Sequence, residues 1–234
     1  MEGLVDEETP VEHVFVFLDW QNVYMRARES FHDPYADAYC GQVDPIDLAL
    51  ELCKRGAPGA RRQLAQVRIY RGIPDQAHDA RGYAAARRQI GQWEKDSRVK
   101  VFTRPLRYPD GWTPSGPEKA REKGVDVQLA LDVVTCGLDG MYDTGIVFSA
   151  DQDLVPALEY MDRRRISRGK PRMEVVAWKG DYGRRPNRIS IGGGRPYCHW
   201  LDNQAYWGLQ DETDYTQPVV RAAVKGPPKP GPRR

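Results

Sequence analysis

The chain has 234 residues, 40% of them hydrophobic, and a formal net charge of +2. That suits one sizeable domain with appendages and excludes a wholesale basic protein or a disulfide scaffold. No apolar run approaches the ~20 residues that span a bilayer, and the acidic start MEGLVDEETP has no apolar signal region, so a cytoplasmic location without membrane contact is expected.

Residues 1–11 read as an acidic tail, 12–209 as the folded domain and 210–234 as a Pro-rich basic tail. Within the domain, 13–20 (HVFVFLDW) is β-branched and aromatic and reads as a buried strand. Helical composition follows from Asn22 to Phe31. The segment 44–56 carries Asp44 as N-cap, Pro45 at the first helical position and Gly56 as stop. A strand is expected at 66–72, a helix at 77–96 and a strand at 99–105. A loop with three prolines and two glycines runs over 106–117, and a helix is expected over 118–135. The strand 144–150, a helix from 154 to 164, a strand 173–180 and a short final helix 198–209 complete the series. Strands alternating with helices predict an α/β fold: a three-layer sandwich around a mainly parallel sheet. In such sheets ligands bind beyond the C-terminal strand ends, at a topological switch point.

Asp19, Asp151 and Asp153 all fall just after predicted strands, so the same rule places them together. Each has an N-capping alternative, which explains one acid of the Asp151/Asp153 pair more easily than both. Asp126 shares its helix face with Ala130, Val133 and Gly137, where an unpaired carboxylate is costly. A buried ion pair with an arginine is the alternative reading there. Asp132 projects on a different, polar face. Asn22 and Ser149 are supporting candidates, able to hold a carboxylate. The four histidines and four cysteines have no metal-ligand spacing, so a carboxylate-only site predicts a hard ion, Mg²⁺ or Mn²⁺. Such ions assist in-line phosphoryl displacement. Arg71, Arg121, Lys123, Arg184, Arg185, Arg188 and Arg195, interleaved with Tyr182, Tyr197 and Trp200, suit a single-stranded nucleic acid, although each cluster alone also fits a solvated face.

Together, VFVFLDWQNVY, EKGVDVQLALDVV and YDTGIVFSADQDLVPAL, with RIYRGIP and HWLDNQAYWGL more loosely, resemble the NYN domain family, in its bacterial LabA-like branch, of the PIN-like nuclease superfamily. The resemblance spans roughly 12–208. It implies an α/β/α sandwich and metal-dependent endoribonuclease activity, with Asp19, Asp126, Asp151 and Asp153 at the family's acidic positions. Asn22 matches the first motif, and Asp132 a further recurrent acid. Trp20, Ala150 and Leu154 depart from the family pattern without removing an acid. Two other readings stay open: a catalytically weak RNA-binding or regulatory module, and a DNA or flap-type nuclease. The sequence leaves the choice of monomer or homodimer open.

Overall fold

The structure, a computed structural model, describes residues 10–37, 39–56, 60–113, 116, 118–180, 188–191 and 196–217. Six strands form one parallel sheet in the order β3-β2-β1-β4-β5-β6. They are β1 (Val11–Asp19), β2 (Arg61–Ile73), β3 (Val99–Pro105), β4 (Thr144–Phe148), β5 (Arg172–Trp178) and β6 (Tyr197–Leu201). The helices are α1 (Trp20–Phe31), α2 (Pro45–Lys54), α3 (Ala80–Trp93), α4 (Val125–Leu138), α5 (Val155–Arg168) and α6 (Asn203–Leu209), with a 3-10 turn at Gln152–Leu154.

The period of two in β1 divides the core. Val14, Val16 and Leu18 face one layer, with residues of α1, α2, α3 and α6. Phe15 and Phe17 face the other, with residues of α4 and α5. A strand apolar on both faces has to be central in a sheet covered twice, which is where β1 lies. Crossovers starting from β1 run outward through β2 to β3 on one layer and from β4 to β5 under the other. The sense of winding reverses between β1 and β4, so a crevice opens above the C-terminal ends of these two neighbours.

Asp44 caps α2 as expected, its Oδ1 accepting the Ile46 and Asp47 amides at 2.8 and 3.0 Å, with Pro45 next. Two expected helices differ. The first half of 198–209 is not helical: Tyr197–Leu201 is a sixth strand paired with β5, and only Asn203–Leu209 is helix. The ladder of Tyr197–Leu201 with Glu174–Trp178 and an Asp202 cap that accepts the Ala205 amide separate the two. The helix expected over 118–135 starts at Val125 instead and runs to Leu138. The chain before it is extended, because Arg121 exchanges two backbone hydrogen bonds with Arg107 at 2.8 and 2.9 Å. Gly124 then turns the chain with φ +74°. Tertiary pairing overrides the helix propensity of EKAREK.

Gln210–Gln217, expected to begin a tail, packs along the domain. Gln210 bridges to Val43, the Tyr215 ring is buried, and Arg88 donates to the Tyr215 carbonyl at 2.7 Å. Among the described residues no helix is long and apolar enough to cross a membrane. All four cysteines are free.

Candidate metal centre at the switch point

β1 ends at Asp19, in the crevice. Its carboxylate is buried (6% exposed) and caps α1: Oδ1 accepts the Asn22 amide at 3.1 Å and Oδ2 the Asn22 side-chain amide at 2.6 Å. Ser149, just past β4, donates its hydroxyl to the same Oδ2 at 2.9 Å. Burial raises the Asp19 pKa; the Asn22 and Ser149 hydrogen bonds offset only part of this, and the neighbouring Asp151 charge adds to the rise. The Ser149 oxygen in turn accepts the Asp151 amide at 3.0 Å, and Asp151 caps the 3-10 turn by accepting the Asp153 amide at 3.0 Å. One hydroxyl thus ties the end of β1 to the turn after β4.

α4 packs against β1, β2 and this 3-10 turn, and Asp126 lies in its first helical turn. Carboxylate oxygens of Asp126, Asp151 and Asp153 all come within 4.8 Å of one another. Three anions this close repel strongly unless a cation sits among them. Asp19 lies outside that triangle, joined to it through Ser149 and through its repulsion with Asp151.

The chain matches the NYN domain model over residues 13–168. It belongs to the NYN domain family. No functionally curated protein matches it. Among solved structures, a Vibrio parahaemolyticus protein of unknown function is similar at 19% identity, with a TM-score of 0.43 over 70% of this chain and 80% of that one. This NYN domain therefore combines a nuclease-type fold with a cluster of three aspartates at its switch point.

The other sequence candidates separate. Asp132 faces away from the cluster: its Oδ2 accepts from Arg68 Nη2 at 2.6 Å and from the Tyr70 hydroxyl at 2.7 Å, tying α4 to β2. The arginine partner considered for Asp126 belongs to Asp132 instead. Arg71 lies half-buried in a hollow beside the crevice, donating to Gln89 Oε1 at 2.6 Å, and is not a surface cation. Burial holds its guanidinium down to about 10. Arg121 and Lys123 are exposed on the extended segment. Lys123 lines an open groove of about 580 Å³ with Arg104, Arg107 and the aromatic group His78, Tyr108 and Trp112. In that group His78 stacks on Tyr108 at 4.3 Å and Trp112 meets Tyr108 edge-on at 4.7 Å. Arg188 stands 5.6 Å over the Trp200 ring at β6, two strands and so roughly 10 Å beyond β4. Arg184, Arg185 and Arg195 lie outside the described residues.

Glu122 was not singled out from the sequence, where it stands among Lys119, Arg121 and Lys123. On an extended segment alternate residues point oppositely, so Arg121 and Lys123 face solvent while Glu122 turns inward. Its Oε1 accepts the Gly72 amide at 2.5 Å, at the end of β2. Burial raises its pKa, the Gly72 amide lowers it, and the charges of Asp19 and Asp126 are both felt there. An acid at the parity opposite to Lys119, Arg121 and Lys123 is the signal, but it becomes legible only once the segment is known to be extended.

Gly72 makes this approach possible. A Cβ there would stand 2.3 Å from Leu106 Cδ2 and 2.7 Å from Glu122 Cγ. We predict that Gly72→Ala costs about 1–3 kcal/mol by overpacking, read as a lower urea midpoint with unchanged slope. A variant as stable as the wild type would show that Glu122 is not held against β2.

Proposed function

We propose that this NYN domain is an endoribonuclease, dependent on Mg²⁺ or Mn²⁺, that hydrolyses phosphodiester bonds of single-stranded RNA. The observation that carries the reading is the convergence of Asp126, Asp151 and Asp153 within 4.8 Å at the switch point. An all-carboxylate donor set fits a hard divalent ion, and the three acids are the residues that would hold it, with Asp19 at one remove. When bound, such an ion offsets charge on the phosphoryl oxygens and makes water a better nucleophile.

The chain's own residues supply the rest. Asp19 is suited to accept the proton that the attacking water gives up: burial raises its pKa, and among the described residues Oδ1 carries only the Asn22 amide hydrogen bond. The water oxygen bonds to phosphorus as the bond to the leaving oxygen breaks, and the leaving oxygen takes a proton from solvent. Ser149 and Asn22 keep the Asp19 carboxylate fixed. Arg104, Arg107, Arg121 and Lys123 hold neighbouring phosphates, and the His78, Tyr108 and Trp112 rings offer faces on which unpaired bases stack.

The test is purified protein on matched single-stranded RNA and DNA, with and without Mn²⁺. Metal-dependent cutting within the RNA is expected. Cutting of DNA alone would identify a DNA nuclease, and RNA binding without turnover under any divalent ion a binding module. Asp132→Ala serves as a control. It should cost about 1–3 kcal/mol of stability by leaving Arg68 unpaired, measured by urea unfolding, yet cut RNA at the wild-type rate below its melting temperature. Loss of cutting in a folded Asp132→Ala protein would place Asp132 in the reaction after all.

A further inference from the structure

Next to the acid cluster lies a hollow of about 340 Å³ that the reaction above does not use. Trp20, Tyr24 and Tyr39 contribute to its walls, and Arg71, Gln42 and Glu122 contribute polar groups. Trp20 is itself buried edge-on against Trp93, so its place in the wall is rigid. Glu122 connects the hollow to the cluster, since it feels the charges of both Asp19 and Asp126.

The hydrogen bonds around the hollow have a forced direction. Arg71 can only donate, so the Gln89 atom that meets Arg71 Nη1 at 2.6 Å is the amide oxygen. The Gln89 nitrogen therefore donates to Gln42, whose oxygen is taken up in accepting it. Gln42 and Gln89 are both buried, which leaves little freedom to turn either amide over. Among the described residues the Gln42 amide nitrogen is left as a donor, alongside the guanidinium N–H groups of Arg71 used by neither Gln89 nor the Gly72 carbonyl. No carboxylate lies within ion-pair distance of Arg71 among the described residues; Glu122 acts on it only through its field. The second oxygen of Glu122 accepts nothing from the described residues, so it is an acceptor beside these donors. A phosphate would meet the Glu122 carboxylate on entry and is disfavoured. A flat, neutral ring carrying a carbonyl oxygen next to a ring N–H meets both groups at once.

We infer that the hollow is a nucleobase subsite selective for keto bases, guanine or uracil. Both present C=O beside N–H, whereas adenine and cytosine present an amino group beside a bare ring nitrogen and would set donor against donor. The subsite deepens the RNA reading, but its test does not need cleavage. Calorimetric titration of the intact protein, in chelator, with the four nucleoside 5′-monophosphates should give GMP or UMP binding about tenfold tighter than AMP and CMP. The GMP and UMP arms decide between purine and pyrimidine. Gln42→Glu keeps the oxygen that Gln89 needs and turns the outward donor into an acceptor, so the preference should vanish or invert towards AMP and CMP. Gln42→Leu, checked for cooperative unfolding, should only abolish it. Equal binding of all four, no binding at millimolar concentration, an AMP or CMP preference in the wild type, or a GMP/UMP preference that survives Gln42→Glu would each overturn the inference. Base-indifferent cutting that depends on Asp126 would remove the subsite and leave the nuclease; selective binding without any cutting would do the reverse.

Discussion

Asp126→Asn is expected to reduce metal-dependent RNA cleavage by about 10³-fold, because loss of several kcal/mol of charge stabilisation corresponds to about one decade per 1.4 kcal/mol. The substitution keeps the side chain's size at a half-exposed position in the first turn of α4. The fold should therefore survive. Its stability gives a second readout that does not depend on activity. With chelator, neutralising one of three carboxylates within 4.8 Å relieves repulsion. The lost interaction with the α4 N-terminus costs only about 0.3–1 kcal/mol. The variant should then melt at or above the wild-type temperature. With Mn²⁺ at about 100 times its dissociation constant, the wild type gains about 2.7 kcal/mol, or roughly 5–10 °C at this chain length. The variant should gain far less. A folded Asp126→Asn protein that cuts RNA like the wild type, or gains the same Mn²⁺ shift, would sink the assignment of the acids.

What could be read in advance followed from local period and caps. VFVFL is apolar at every position, which places a strand in the centre of a doubly covered sheet, and Asp44–Pro45 marks a helix start by side-chain chemistry alone. Asp19 and Asp151 carry both meanings weighed for them at once: each caps a helical turn and each sits in the crevice. What failed was non-local. Arg107 pairs with Arg121 across a loop, and no pattern in EKAREK signals it. That pairing makes the segment extended, turns Glu122 inward and leaves Arg121 and Lys123 outside. The sixth strand was hidden because YCHWL and NQAYWGL are both aromatic and merge into one apparent helix. The sequence offers Arg71 as a nucleic-acid contact because its burial depends on Gln89 and Trp93, which come from a different element; its guanidinium lies 5.7 Å from the Trp93 ring.

Glu174→Leu should have the largest effect on stability, at the opposite end of the problem from the site. Glu174 of β5 accepts from Arg62 of β2 at 2.6 and 2.9 Å and lies 2.7 Å from His199 Nε2 of β6. The three side chains are 3%, 1% and 0% exposed. Arg62 also reaches Glu12 at 3.2 Å, but that carboxylate is partly exposed and cannot replace Glu174. Removing one member of a buried ionic group leaves the others charged or unsatisfied, at a cost of about 3–5 kcal/mol, or roughly 6–20 °C. The loss should also change the acid limb of the stability profile. Burial pushes the Glu174 pKa up from 4.5, but hydrogen bonds from His199 and Arg62 outweigh it and hold the carboxyl at about 2. A depressed folded-state pKa adds stability that is complete above the unfolded value and is lost as pH falls towards the folded one. Wild-type stability should therefore drop between about pH 4.5 and 2, and Glu174→Leu should flatten that part of the slope, as urea unfolding across the range would show. A loss below about 1 kcal/mol would mean that leucine packing compensates for the ionic group, as it does when a whole buried pair is replaced. Glu12 and Arg62 pair near the starts of β1 and β2, whereas Asp126, Asp151 and Asp153 gather beyond the strand ends. Below its melting temperature Glu174→Leu should still show the Mn²⁺ shift that Asp126→Asn loses, so the two substitutions separate what holds the sheet together from what the crevice binds.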